Sequence, residues 1–528
     1  MDAMVGPMRT LLVGLGGLYI AIVAALGSAS AEDSVPLRAG RVSVADGAAS
    51  YRPAGGDWSG AVVNLPVATG TALRTDENGS AEFRVGDAVV TLAPKSEIFF
   101  SRLEPHTIEL AVHRGRIAVV VRSLGDGDEI TVTLQRGAVR LLQPGRYDID
   151  AGAESGPPKV AAFEGSARFA GDGPETTIPT GSVARLDTPA TVETAVADAF
   201  DKTWRGRLAE GEPVAARLHL SPELTGLAEL DRAGHWQAID NYGAVWFPDQ
   251  VAEGWAPYRD GCWRWIPPWG WTWVDKAAWG FAPSHYGRWA RFDDRWGWIP
   301  GKPVWDPAYA PAVVAFLGTP PVGLSYADAF SPAIAWFPLG PGEIYWPGFS
   351  RDSALIRRLN APDIDDLWTI HHADNGGPPP ELVTGDYRNR RDATAVPRAV
   401  FIAGQPVAAA RVAIPEARLE TAPVIAETTP FPPAPAPRTV ASAASPSKGP
   451  ALIAAARAAL PILAAAAHSR LHALAHAVRN AAAVSHLAVL RRGAHAAPAG
   501  RPRVMASLSV SHSGGAHRHL AALHGRAR

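Results

Sequence analysis

Between Gly234 and Pro307 the chain places 13 of its 18 tryptophans, and it places them periodically. Three copies of one pattern follow one another: Gly-x-Trp, a short gap, a second Gly and Trp, then Pro and a Trp-to-Tyr segment. The copies lead with Gly234/Trp236, Gly261/Trp263 and Gly287/Trp289, and close on Tyr258, Tyr286 and Tyr309. The lead tryptophans step by 27 and 26 residues, room for two short strands with their turns. Each copy reads as a β-hairpin with Gly at the turn, where positive φ meets no Cβ. Pro after the second strand removes a donor and ends the pairing. One hairpin cannot bury its own rings, so the copies must stack.

The tryptophans admit two readings. In one, each ring fills the thin core of a small β repeat, burying about 150–250 Å². In the other, a row of exposed rings stacks against sugars, choline-like cations or aromatic partners. The doublets Trp263/Trp265, Trp271/Trp273 and Trp296/Trp298 favour the first, since alternate strand residues share a face. Arg264 and Thr272 then point the other way. The single rings Trp255, Trp269, Trp279 and Trp305 are the better candidates for exposure. With Tyr258 and Tyr286 they form the candidate ligand-contact set.

The rest of the composition supports a mainly β chain with many turns: 51 Gly and 47 Pro among 528 residues. The net charge of −1 names no partner. Residues 1–31 read as a secretory signal: Arg9, an apolar run from Leu11 to Leu26, and Ala29-Ser30-Ala31 at the cleavage site. The alternative is an uncleaved anchor, although the run is short for a span. No later segment reaches that length without charge or Pro, so no transmembrane span is expected after cleavage. The chain is expected to be exported, periplasmic or envelope-associated. The lone Cys262 can join only an intermolecular disulfide. Its slot holds His235 and Arg288 in the sister copies, which predicts an exposed position.

Residues 38–190 carry strand-like runs at regular spacing, among them Ala81–Val85, Ala88–Leu92, Thr107–Val112, Arg116–Arg122 and Glu129–Leu134. Glu77-Asn78-Gly79, Gly86-Asp87 and Pro144-Gly145 mark turns. The pattern predicts a β-sandwich or β-roll with one wet face per sheet. Gly70-Thr71-Ala72-Leu73-Arg74-Thr75, Ser80-Ala81-Glu82-Phe83, Val89-Val90-Thr91-Leu92, and Leu110 followed by Gly115 and Ile117 occur here in order. Gly137-Ala138-Val139-Arg140 and Pro144-Gly145-Arg146-Tyr147 follow. In that order they resemble the FecR-type periplasmic domain. The resemblance implies a domain that senses a partner outside the membrane and relays to a sigma-factor system through a membrane helix. This chain departs from the family at its N-terminus, which reads as a signal peptide.

Residues 195–233 read as a connector, with a helix over Ala195–Arg207 that sets Phe200 and Trp204 on one face. A second helix is predicted to start at Ser221-Pro222. From 198 to 348 the chain resembles a Trp-, Tyr-, Gly- and Pro-rich domain-of-unknown-function family of exported bacterial proteins. Gly254-Trp255-Ala256-Pro257-Tyr258, Pro268-Trp269-Gly270-Trp271-Thr272-Trp273 and Trp279-Gly280-Phe281-Ala282-Pro283 carry the likeness, which implies no activity or site residues. The organisation expected is a Trp-rich β-repeat domain over 234–348, an irregular extension over 349–422 and a low-complexity tail over 423–528. The tail has a Pro-rich start and an expected helix between Pro461 and Gly493. From Thr428 onward it holds 12 Lys/Arg and no Asp/Glu. It reads either as solvated or as a contact for anionic surfaces or loosely captured metal.

For chemistry, Gly-x-Ser-x-Gly is absent. His371-His372 are adjacent and do not converge on a metal from a helix face. Asp293-Asp294 suit a turn. Asp260 and Glu343 are the remaining acids to place. The residues favour a non-catalytic exported protein that binds or scaffolds an envelope component: polysaccharide, peptidoglycan or protein. No cofactor, metal or nucleic acid is expected. The alternatives are a FecR-like periplasmic sensor and an envelope glycan hydrolase.

Overall fold

The computed structural model describes residues 35–425, except 153–155, 188, 209–218, 222, 305, 319–332, 365–377, 379–381 and 384. The expected signal peptide, tail helix and His371-His372 pair lie outside the described residues. Within them the fold is mainly β, as the turn spacing predicts.

Alternating burial builds the N-terminal sandwich. Along Glu129–Leu134, Ile130, Val132 and Leu134 point inward while Glu129, Thr131 and Thr133 do not. Two nine-stranded sheets result. One runs from Thr191–Thr194 through Ser182–Arg185, Lys159–Glu164, Gly145–Asp150, Arg116–Val121, Ala88–Leu92, Ser80–Val85 and Gly40–Asp46 to Pro66–Val67. The other runs from Thr176–Ile178 through Ala167–Gly171, Gly137–Leu141, Glu129–Leu134, Thr107–Arg114, Glu97–Glu104, Ala72–Thr75 and Ala49–Arg52 to Ser59–Gly60. Phe83 and Phe100 meet edge to face between the sheets, 4.7 Å apart. Glu129–Leu134 pairs in parallel with Thr107–Arg114, and the sandwich's other pairings are antiparallel.

Ala88–Leu92 is buried on both faces. The helix Ala199–Leu208 covers the outer one, laying Trp204 and Phe200 over Val89, Ala118 and Val120 as their spacing predicts. A reciprocal cap starts this helix: Asp198 N donates to Asp201 Oδ2 and Asp201 N to Asp198 Oδ1. Arg116 fastens it by donating to Asp148, Asp198 and Asp201. The helix expected at Ser221 does not form. Ser221 Oγ instead accepts from Glu223 N in a turn, and a short helix begins only at Leu230.

The three hairpins are present: Gly234–Ile239 with Gly243–Pro248, Gly261–Ile266 with Gly270–Asp275, and Arg288–Phe292 with Arg295–Ile299. In each, the lead ring stands directly opposite a second-strand ring: Trp236 to Trp246, Trp263 to Trp273, Trp289 to Trp298. The lead glycine follows from this register. A Cβ on Gly234, Gly261 or Gly287 would fall 2.2, 2.4 or 2.3 Å from a partner-strand carbonyl oxygen and against the indole of Trp246, Trp273 or Trp298. No side chain fits between strand and ring. The first and third copies join edge to edge through Trp246 and Trp298, while the second stands as a separate two-stranded sheet.

The extension over 349–422 is more regular than its composition suggests. Thr394–Pro397 pairs with Ala333–Pro338, which pairs with Val314–Leu317. Val424–Ile425, placed by the sequence in the tail, completes this sheet beside Phe316 and Leu317. Short strands with long-range partners carry no local signal.

Sandwich and Trp-rich region share one hydrophobic core. A polar seam crosses between them. Asn64, fully buried, donates to the carbonyls of Asp275 and Ala277 at 3.0 and 2.7 Å. Its Oδ1 accepts from Arg41, which also donates to Ala278 O and pairs with Glu229. Trp269 Nε1 donates to Pro36 O.

Candidate ligand cleft

Trp263 is the centre of the aromatic cluster. Its ring lies 5.3–5.6 Å from those of Trp273, Phe316, Trp336 and Phe401, and it is fully buried. Two residues on, Trp265 shares its face but sits beside the hairpin tip, beyond the cover of the core. It is 38% exposed and meets Trp271 edge to face at 5.6 Å. The doublet rule thus places the two rings on one side correctly and misjudges the cover.

Trp265 opens into a cleft of about 410 Å³ between the hairpin tip and the edge of the sandwich. Tyr51 and Ser59 form the sandwich wall, Trp263, Arg264 and Trp271 the hairpin wall, and Gly404 closes one end. Tyr51 is held by donating to Pro66 O, and burial pushes its hydroxyl well above the usual phenol range. Glycines 55, 56, 60 and 404 also line the cleft and add no side chain to it. Flat rings beside the polar side chains of Asp57, Ser59 and Arg264 suit a ligand with an apolar face and a polar rim.

The candidate rings divide. Trp255 and Trp279 come together, half-buried, at 5.7 Å, with Trp289 5.7 Å from Trp255 and Trp246 5.0 Å from Trp279. Tyr258, Trp269 and Tyr286 are buried, against the expectation of exposure for Trp269. Tyr258 is structural: its hydroxyl donates to Ser284 O and accepts from Val313 N. Tyr286 O accepts from Trp298. Trp305 lies outside the described residues. Sequence reasoning missed Trp265 as the open ring. Its place next to Pro267-Pro268, at the hairpin's end, was the available signal.

The slot shared by His235, Cys262 and Arg288 is not uniformly open. His235 is exposed and Cys262 half-buried, whereas Arg288 is 1% exposed. Arg288 donates to Glu343 O, Asn360 Oδ1 and Asp363 Oδ2. The remaining acids have structural places. Glu343 accepts from Gly340 N and Arg388 N, both at 2.6 Å, and burial raises its pKa. Asp260 lies 3.9 Å from Lys276, and Asp293 takes φ 52° in its turn. Asp275 is raised to about 7 by burial, against hydrogen bonds from Trp273 Nε1 and Ala277 N. His285 is lowered to about 3 by burial, and it donates through Nδ1 to Ala310 O. Among the described residues no three His, Cys, Asp or Glu side chains gather in a metal-holding group, and no helix is long and apolar enough to cross a membrane.

Residues 227–343 match DUF6600, a family of unknown function, so the chain contains a DUF6600 domain there. No curated protein matches the chain. Two crystal structures of a "putative anti-sigma factor" from Parabacteroides distasonis ATCC 8503 are similar to part of it, at 12% and 11% identity with a TM-score of 0.22 each. Each match covers 34% of this chain and 99% of the other.

Proposed function

We propose that this chain is an exported, non-catalytic envelope protein that binds its ligand in the cleft between its sandwich and its DUF6600 domain. One observation carries the reading: Trp265, the most exposed ring of an otherwise buried aromatic cluster, forms the wall of a cleft built from both regions. A buried ring stabilises the fold, whereas an exposed one in a concave site is free to stack on a ligand. The test is co-sedimentation of the full chain with purified peptidoglycan sacculi and with envelope polysaccharide. Trp265→Ala should weaken binding roughly tenfold or more, while the melting temperature stays within a few degrees. Unchanged binding by a folded variant would refute the reading.

A second reading, a periplasmic sensor, draws on the FecR-type motif order, whose segments Ser80–Val85, Ala88–Leu92 and Thr107–Arg114 are strands of the sandwich. It requires a membrane tether. Recovery of a chain beginning at residue 32 in the soluble fraction would count against it.

A further inference from the structure

Fourteen arginines lie in the sandwich between Arg38 and Arg185, and eleven of them pair with a carboxylate. Arg52 and Arg74 make no ion pair among the described residues, and both converge on one ring. Their guanidinium carbons lie 4.9 and 4.3 Å from the centroid of Trp58. Register explains the meeting. Ser50 opposes Arg74 and Arg52 opposes Ala72, so the two arginines are diagonal neighbours on one face. Tyr51 opposes Ser59, and one step further the edge strand brings Trp58 across from Arg52. The acid opposite Arg74 in register, Glu97, pairs with Arg114 at 3.3 Å, and Asp57, exposed beside Trp58, lines the cleft without an ion pair to either arginine.

This cationic platform adjoins the cleft. Tyr51 and Ser59 line the cleft, while their neighbours Arg52 and Trp58 stand on the other face of the same strands. The separating strand, Ser59–Gly60, is two residues long and is the last of its sheet. A chain-like ligand crossing that edge meets Trp265 and Arg264 on one side and the Trp58 platform on the other. We infer that this edge binds an acidic polysaccharide, with a sugar ring's C–H face on Trp265 and a carboxylate held by Arg52 and Arg74. The inference rests on the cleft being the binding site.

Charge selects this ligand over others. The tail's 12 cations and lack of acids leave the first 427 residues with a net charge of about −13. A strand carrying a phosphate at every nucleotide is repelled by such a body. A glycan with a carboxylate on only some of its sugars needs few cations and meets less repulsion. The tail's cations carry the same sign as the two arginines and so offer them no counter-charge. A neutral glycan would leave both guanidiniums without a counter-charge, whereas a carboxylate accepts their donors in bidentate geometry.

The test measures binding of a hyaluronan hexasaccharide, in which charged and neutral sugars alternate, against neutral chitohexaose. It uses the full chain by calorimetry at about 150 mM salt, where loose attraction to the tail is screened. Arg52→Gln and Arg74→Gln should each weaken the hyaluronan fragment roughly tenfold and leave chitohexaose unchanged. Arg74→Lys should recover part of the loss, and Trp265→Ala should weaken both sugars. If the two sugars bind alike and the arginine variants are silent, the acidic-ligand inference falls and the cleft reading stands. If hexaglutamate or an oligothymidylate binds as tightly as the hyaluronan fragment, the assignment to a glycan falls. If neither sugar binds, the inference falls, and sacculus co-sedimentation decides the cleft reading separately.

Discussion

The sandwich and the Trp-rich region solve the burial problem in opposite ways. The sandwich spreads it over many aliphatic residues, alternating in and out along long strands, so no single side chain dominates. The Trp-rich region has strands of five or six residues and concentrates burial in few rings, three of which, Trp246, Trp273 and Trp298, lie against a glycine that leaves them room. Distributed burial tolerates local change, because a missing methyl leaves a small void. Concentrated burial does not, since one ring touches four others around Trp263. The contrast also separates what each region offers a ligand: the sandwich presents polar and charged faces, the repeats an aromatic one.

Substitutions can break this contrast. Trp263→Ala should cost about 4–5 kcal/mol by denaturant unfolding, against about 2–3 kcal/mol for Val132→Ala in the sandwich core. Equal losses would mean that burial is not concentrated in the rings. Gly261→Ala should cost about 2–3 kcal/mol, because the new Cβ meets a carbonyl and an indole. Gly127→Ala, at φ 90° with open space around it, should cost about 1 kcal/mol from backbone strain alone.

A pH series sharpens the same comparison. The folded state keeps His285 neutral, with its pKa lowered to about 3 from an unfolded 6.5. Its contribution is therefore complete above pH 6.5 and is lost as pH falls toward 3. Between pH 6.5 and 5 this amounts to about 2 kcal/mol, and His285→Gln should flatten the slope of the melting temperature in that window. Asp275 acts with the opposite sign: its raised pKa favours the fold at low pH and weakens it as pH rises from 3.8 toward about 7. Asp275→Asn should steepen the acid-side loss by removing that counterweight. The smallest effect belongs to Trp265→Ala, within about 1 kcal/mol in stability, because its ring is already part-exposed.

Local patterning made much of the sandwich legible. Ala88–Leu92 and Glu129–Leu134 can be read to the residue from β-branched runs and bounding turns. Ser59–Gly60 and Pro66–Val67 could not, since two residues hold no period. The repeat announced three hairpins, because Gly-x-Trp spacing records a ring lying over a glycine. It was silent on how they assemble, which depends on Trp246 meeting Trp298 across 52 residues. The strand period tells which face a doublet shares, but cover depends on what packs above: Trp265, in a doublet, stands exposed, and the single ring Trp269 is buried. Arg288 illustrates the limit: its slot-mates are not fully buried, and the distant Glu343, Asn360 and Asp363 make burying its guanidinium tolerable.

The buried seam of Asn64 and Arg41 has a practical consequence for dissecting the molecule. A fragment beginning at residue 227, where the recognisable family starts, would carry away Asp275, Ala277 and Glu229 while leaving their donors behind. Such a piece would have carbonyls and a carboxylate turned toward missing neighbours and a torn apolar surface beside them. The genetic module and the physical unit therefore have different borders, and only the longer one should survive purification as a monodisperse species.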